Sequence, residues 1–170
     1  MQKKELSMDD NKFWDMIRQA DSQSGGDMDK KCKLIESAIT RLPKQDAVAF
    51  SHMFDRMMDR AYSWELWAAA YIINGGCSDD SFSDFRSSLI SRGQIALEQA
   101  LSDPESLVDD DFDEDVWFYE SFKYAVNDGV KASAGFVPDR ESPHPKEPSG
   151  EAWEEEEVNM LFPKLAEKYA

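Results

Sequence analysis

The chain has 170 residues, enough for one domain with its own core, and 41% of them are hydrophobic and 12% aromatic. That load argues against a disordered acidic chain. Acidic residues outnumber basic ones 35 to 19, for a net charge of −16, which disfavours nucleic acid and anionic membrane as partners because both bind cationic surface.

Apolar spacing predicts helices throughout, and no period-2 strand pattern occurs. Residues 1–8 are expected to be a flexible N-terminus and 9–170 a single all-α, multi-helix domain. The N-terminal lysines, Lys3 and Lys4, have no apolar stretch behind them, so the segment does not read as a secretory leader. No apolar run approaches the roughly 20 residues of a membrane span. Phe13, Met16, Ile17 and Ala20 predict a first helix over 10–20. Asp27 or Asp29 caps a second, whose face is Leu34, Ile35, Ala38, Ile39 and Leu42 and which Pro43 stops. Phe50, Met53, Phe54, Met57, Met58 and Ala61 form the stripe of a third, a core-facing pattern although rich in methionine.

A fourth helix carries Trp64, Leu66, Trp67, Ala70 and Tyr71 and ends at Gly75-Gly76. Ser78 caps a fifth, with Asp79 and Asp80 in its first turn and Phe82, Phe85 and Leu89 inward. Ile95, Ala96, Ala100 and Leu101 mark a sixth, ended by Asp103-Pro104. The acidic run from Asp109 leads into a helix with Trp117, Phe118, Phe122, Ala125 and Val126 that Gly129 closes. Residues 130–150, with four prolines and two glycines, form a long irregular connection. A last helix holds Trp153, Val158, Leu161, Phe162, Leu165 and Tyr169, with Pro163 as a break.

Charge is unevenly spread: residues 1–100 hold 16 acidic and 13 basic groups, residues 101–170 hold 19 and 6. The excess lies in two runs. Asp109, Asp110, Asp111, Asp113, Glu114 and Asp115 form the first; Glu154, Glu155, Glu156 and Glu157, behind Trp153, form the second. A field of this sign attracts a basic partner and speeds its association, and an aromatic anchor beside it adds binding energy. These residues are therefore the expected partner-binding set. Asp109, Asp111, Asp113 and Glu120 also fall at calcium-loop spacing, but Glu114 stands where the loop's sharp turn calls for glycine. No metal or other cofactor is expected.

Catalytic signatures are absent. His52 and His144 have no triad or ligand spacing, and no P-loop, HExxH, GxSxG or GxGxxG occurs. Cys32 and Cys77 follow no metal spacing and read as reduced thiols of a cytoplasmic protein. The rival to a binding protein is an enzyme or metal-dependent protein using the turn from Cys77 to Asp84, with Asp79, Asp80, Asp84 and Arg86. A regulatory adaptor is a further alternative.

The stretch from Trp64 through Ala68, Tyr71, Gly75, Gly76, Cys77, Ser78, Asp79 and Asp80 resembles the signature of a bacterial family known as domain of unknown function 4240. The likeness continues through Phe82, Asp84, Phe85, Arg86, Leu89, Ile90, Gly93 and Asp103-Pro104. Phe13-Trp14 resembles the family's opening, and Trp153 with Phe162-Pro163-Lys164-Leu165 its end. The family supplies no catalytic residues to carry over. What the resemblance implies is context: an immunity protein that binds a cognate bacterial toxin, of the ADP-ribosyltransferase type, and occludes its basic active-site cleft.

Overall fold

The computed structural model describes residues 8–111 and 113–169, with the side chain of Glu114 left aside. Among these residues the chain forms ten α-helices, one 3-10 helix and no β-strand, so the all-α class holds. None of the helices is long and apolar enough to cross a membrane. The helices cluster into two compact units: residues up to Arg56 with Ser121–Ser142, and Met57–Glu120 with the chain from Pro143 onward.

The first unit holds α1 (Asp10–Ser24), α2 (Met28–Thr40), most of α3 (Lys44–Arg60) and α8 (Ser121–Ala134). Asp9 caps α1 and Asp27 caps α2, each accepting from the backbone three residues on. α1 runs four residues beyond the expected end because Ser24, though polar, is buried and closes its hydroxyl onto the Asp21 carbonyl. Phe13, Ile17, Ile35, Ile39, Phe50 and Phe122 are almost fully buried. Each such side chain contributes about 1.5–3 kcal/mol on leaving water. Met53 and Phe54 are buried as well, while Met57 and Met58 are half-buried, so the stripe of α3 serves as core over its first part. Residues 1–7 of the expected flexible N-terminus lie outside the described residues; Met8 is buried and donates its N–H to Asp46.

Gly129 was expected to close a helix and instead lies inside α8, which continues to Ala134. α8 packs on α2 at this point. A Cβ on Gly129 would stand 2.9 Å from both the Glu36 carbonyl oxygen and the Ile39 Cβ. The glycine is there for close approach, not for a turn. The irregular connection accordingly starts at Gly135, and its first part is tied to α3: His52 Nε2 meets the Asp139 carbonyl at 3.1 Å and Arg140 reaches Asp55 at 3.7 Å.

The second unit holds α4 (Trp64–Asn74), α5 (Asp79–Ser91), α6 (Gln94–Ser102), a 3-10 helix (Pro104–Asp109), α7 (Glu114–Trp117), α9 (Val158–Leu161) and α10 (Pro163–Tyr169). Ser63 and Ser78 cap α4 and α5, and Gly75 ends α4 in the left-handed region at φ 67°. Rings stack through the core: Trp64 on Trp67 at 5.6 Å, Trp67 on Phe82 at 4.9 Å, Phe85 on Trp117 at 5.4 Å.

Three sequence expectations shift in this unit. α6 turns Leu97 and Ala100 inward, and Ile95 is 75% exposed; a nine-residue helix has room for only one short buried face. The single helix expected over Trp117 and Phe122 is two, α7 and α8, and its aromatic residues serve different units. The acidic residues 154–157 form a turn before α9, not a helical first turn, and Pro163 opens α10, where its missing N–H costs nothing.

Gly129→Ala is expected to destabilise the protein by about 1–2 kcal/mol. Overpacking by about 1–3 kcal/mol outweighs the helix-propensity gain of about 1 kcal/mol. A urea midpoint unchanged or raised would show that α2 and α8 do not touch as described.

Candidate partner-binding face

The two acidic runs both belong to the second unit, but their carboxylates are not equivalent. Asp110 is half-buried and engaged fork-to-fork by Arg92, both contacts at 3.2 Å. Arg92 also lies over the Trp117 ring at 5.3 Å. Asp111 takes Lys168 Nζ at 2.8 Å, and the same ammonium donates to the carbonyls of Val108 and Asp110. The ammonium bonded to it holds the Asp111 carboxyl below its usual range, and that same bond raises the Lys168 pKa. Asp113 caps α7, accepting from the Val116 N–H at 3.1 Å. This leaves Asp109 and Asp115 as exposed carboxylates with no ion pair among the described residues; the Glu114 side chain lies outside what is described. Glu154, Glu155, Glu156 and Glu157 are all exposed and equally without ion pairs there.

At the calcium-like spacing, Asp111 and Asp113 have protein partners. Asp109 ends the 3-10 helix, Asp113 begins α7, and the oxygens between them face Arg92 and Lys168. Among the described residues no group of three His, Cys, Asp or Glu is placed to hold a metal ion.

Trp153 is half-buried and stands on α4. Its indole N–H donates to the Trp64 carbonyl at 2.6 Å, and its ring meets Trp64 and Tyr71 edge-on at 6.0 and 5.3 Å. The strand-like approach that brings it there is short: Ser149 and Ser63 form an isolated parallel bridge, with Ser149 N donating to the Tyr62 carbonyl and Trp64 N to the Ser149 carbonyl, both at 2.9 Å.

Two clefts flank Ser102 and Asp103. One, of about 520 Å³, is lined by the apolar residues Trp153, Leu161 and Phe162 and by the carboxylates of Glu65, Asp103, Glu151 and Glu157. The other, of about 330 Å³, is bounded by Arg92, Gln99, Asp109 and Asp110. Asp103 thus sits between the two runs. Glu65, Asp103 and Glu151 escaped the sequence analysis because they are isolated carboxylates on three separate segments, with no spacing that links them.

The turn from Cys77 to Asp84 has a different character. Arg86 is only 3% exposed. Its guanidinium lies 4.7 Å from the Tyr62 ring and 4.8 Å from the Phe82 ring, and donates to the Met58 carbonyl at 2.9 Å and, through Nε, to the Phe82 carbonyl at 3.4 Å. Burial draws its pKa down, against the supporting fields of Asp79, Tyr62 and Asp59. Burial likewise raises Tyr62, with Asp79 adding to the effect. Cys77, whose carbonyl accepts from the Trp67 indole at 2.9 Å, has its thiol pushed up to about 12 by burial. It does not present a thiolate near neutral pH.

Residues 8–131 match the sequence model of a family described as a protein of unknown function, DUF4240. The matched stretch includes the Trp64 to Asp80 segment, Arg86 and the first acidic run; Trp153 and the second run lie beyond it. No curated protein and no solved structure matches the chain.

Two expectations follow from the cysteines and Arg86. Both thiols should alkylate slowly at pH 8 compared with a free cysteine, because burial holds Cys32 at about 11 and Cys77 at about 12 against an ordinary 9.0. The folded state binds these protons more tightly, so stability is complete below pH 9.0 and declines as pH rises toward those values. Rapid iodoacetamide labelling of the folded protein would contradict this. Arg86→Ala should cost about 3–5 kcal/mol in urea titration, since it opens a cavity and strips the Met58 carbonyl of its donor. A loss under about 1 kcal/mol would place Arg86 outside the structural framework.

Proposed function

The chain belongs to the DUF4240 family, whose function is unknown, and we propose from its own surface that it is a protein-binding protein of the immunity type: it docks on a basic cleft of a cognate bacterial toxin, of the ADP-ribosyltransferase type, and blocks access to it. The observation that carries this is the set of exposed carboxylates on the second unit that have no ion pair among the described residues, Asp109 and Asp115 with Glu154 to Glu157. A protein that needed these charges only for local structure would pair or cap with them, as it does with Asp110, Asp111 and Asp113.

The free carboxylates act at long range. In about 0.15 M salt their field extends roughly 8 Å from the surface and orients an approaching basic partner before contact. Substrate is then excluded because the acidic face occupies the cationic cleft that an anionic substrate or cofactor would enter. The cytoplasm, where a toxin would meet its target, is the compartment this role requires. The deep burial of Arg86 and the raised thiol pKa of Cys77 favour this reading over an enzyme built on that turn.

Co-expression supplies the test. Cells making the toxin encoded beside this chain should grow when the chain is co-produced. Replacing Asp109, Asp115, Glu154, Glu155 and Glu156 by lysine should abolish that rescue. Measured directly, association at low salt should slow by about 10- to 1,000-fold, and the remaining rate should lose its salt dependence. Rescue that survives charge reversal, or a neighbouring gene that encodes no toxin, would overturn the proposal.

A further inference from the structure

We propose that the larger cleft, beside Trp153, is an anchor site for an arginine side chain of the partner, flanked in the partner by an apolar residue. The proposal rests on the partner-binding reading above and adds what grips the partner once steering has delivered it.

The cleft's chemistry is one-sided. Glu65, Asp103, Glu151 and Glu157 line it, no Lys, Arg or His does, and none of the four carboxylates has an ion pair among the described residues. Trp153, Leu161 and Phe162 give the same cleft apolar lining. A ligand that satisfies both linings needs a cationic head on an apolar stem. Between the two cationic side chains, arginine fits better. Its guanidinium is planar and weakly hydrated, stacks on aromatic faces and pairs with carboxylates through two parallel hydrogen bonds.

Size and rigidity agree. About 520 Å³ lies within the range of roughly 300–1,000 Å³ that clefts holding small ligands occupy, room for one long side chain and its flank. The indole of Trp153 is already fixed by its bond to the Trp64 carbonyl, so little ordering remains to be done on binding. Leu161, which lines the cleft, is 46% exposed, and Met160, next to it in sequence, is 72% exposed. Two large apolar side chains in adjacent positions beside an acidic cleft complement an apolar residue next to the arginine. The neighbouring runs fit the same occupant, because a basic partner drawn by Asp109, Asp115 and Glu154 to Glu156 arrives at a surface with a recess that accepts a cation.

The probe is a fluorescent pentapeptide, Gly-Leu-Arg-Leu-Gly, compared with the same peptide carrying norleucine for arginine. The intact protein should bind the arginine peptide about tenfold or more tightly than the norleucine peptide, and the Trp153 indole resonance of 15N-labelled protein should shift on titration. The isosteric triple variant Glu65→Gln, Asp103→Asn, Glu157→Gln should weaken binding about tenfold or more with an unchanged far-UV spectrum. A control of equal charge change in the other unit, Asp10→Asn, Asp128→Asn, Asp139→Asn, should leave it unaltered. Equal binding of the two peptides, absence of binding by the intact protein, a silent Trp153 resonance, or a triple variant that binds like the parent would each overturn the proposal. The two readings fail separately. If lysine at the two runs destroys toxin rescue while the triple variant binds and rescues normally, the cleft is wrong and the acidic face stands.

Discussion

The second unit is organised around a buried cation. Arg86 lies against the rings of Tyr62 and Phe82 and donates to the carbonyl of Met58. An arginine this deep is tolerable only when its hydrogen bonds are met and opposite charge is near, and Asp79 and Asp59 supply the field. The consequence reaches the surface. Held against the guanidinium, Tyr62 presents its carbonyl to the Ser149 N–H; Ser149 in turn receives the Trp64 N–H, and Trp64 offers its carbonyl to the Trp153 indole. A chain of hydrogen bonds therefore runs from buried Tyr62 to Trp153, which lines the larger of the two clefts. The segment after Pro143 has little secondary structure before Val158, and this chain is what locates it.

The first acidic run follows a different logic. A dense block of carboxylates repels itself, and the fold relieves that repulsion selectively. Arg92 and Lys168 neutralise Asp110 and Asp111, and the dipole of a short helix engages Asp113. Lys168 does more than pair, since it also binds the carbonyls of Val108 and Asp110 and so ties α10 to the end of the 3-10 helix. The exposed pair is worth little as stability, because exposed ion pairs are screened. Its effect is on geometry: it decides which carboxylates of the run remain unpaired.

Much of this was legible in the sequence because it is local. Periodicity located α1 to α5, and Ser78, Asp27 and Gly75 mark their ends by mechanisms that involve only neighbouring residues. The residues that misled are those whose role is set by something distant. Gly129 looks like a stop and is a contact, since the reason for it is the backbone of α2, more than 80 positions earlier. Ile95 looks like core and is exposed, because Leu97 takes the inward position. Glu65 and Glu151 carry no mark at all, and Asp103 is marked only as a helix end: nothing in the sequence joins the three until their segments meet. Even the two acidic runs, the plainest feature of the chain, overstated the case. Counting charges cannot separate Asp110, which is paired, from Asp109, which is not.

That separation bears on how binding energy and binding rate are distributed. A carboxylate in water gains little on contact, since it exchanges one set of hydrogen bonds for another; its main effect is on encounter. Affinity needs surface that leaves water, and on this unit the recess with Trp153, beside exposed Met160 and Leu161, is where apolar surface and unpaired charge coincide. The free carboxylates of the two runs and the walled recess beside them divide the task. Charges far from apolar surface guide a partner but hold it weakly. Charges set against Trp153 and Phe162 are partly shielded from water once a side chain enters, and shielding strengthens each pairing with the incoming cation. Placement beside an apolar wall, and not the number of carboxylates, is what turns an acidic surface into a specific one.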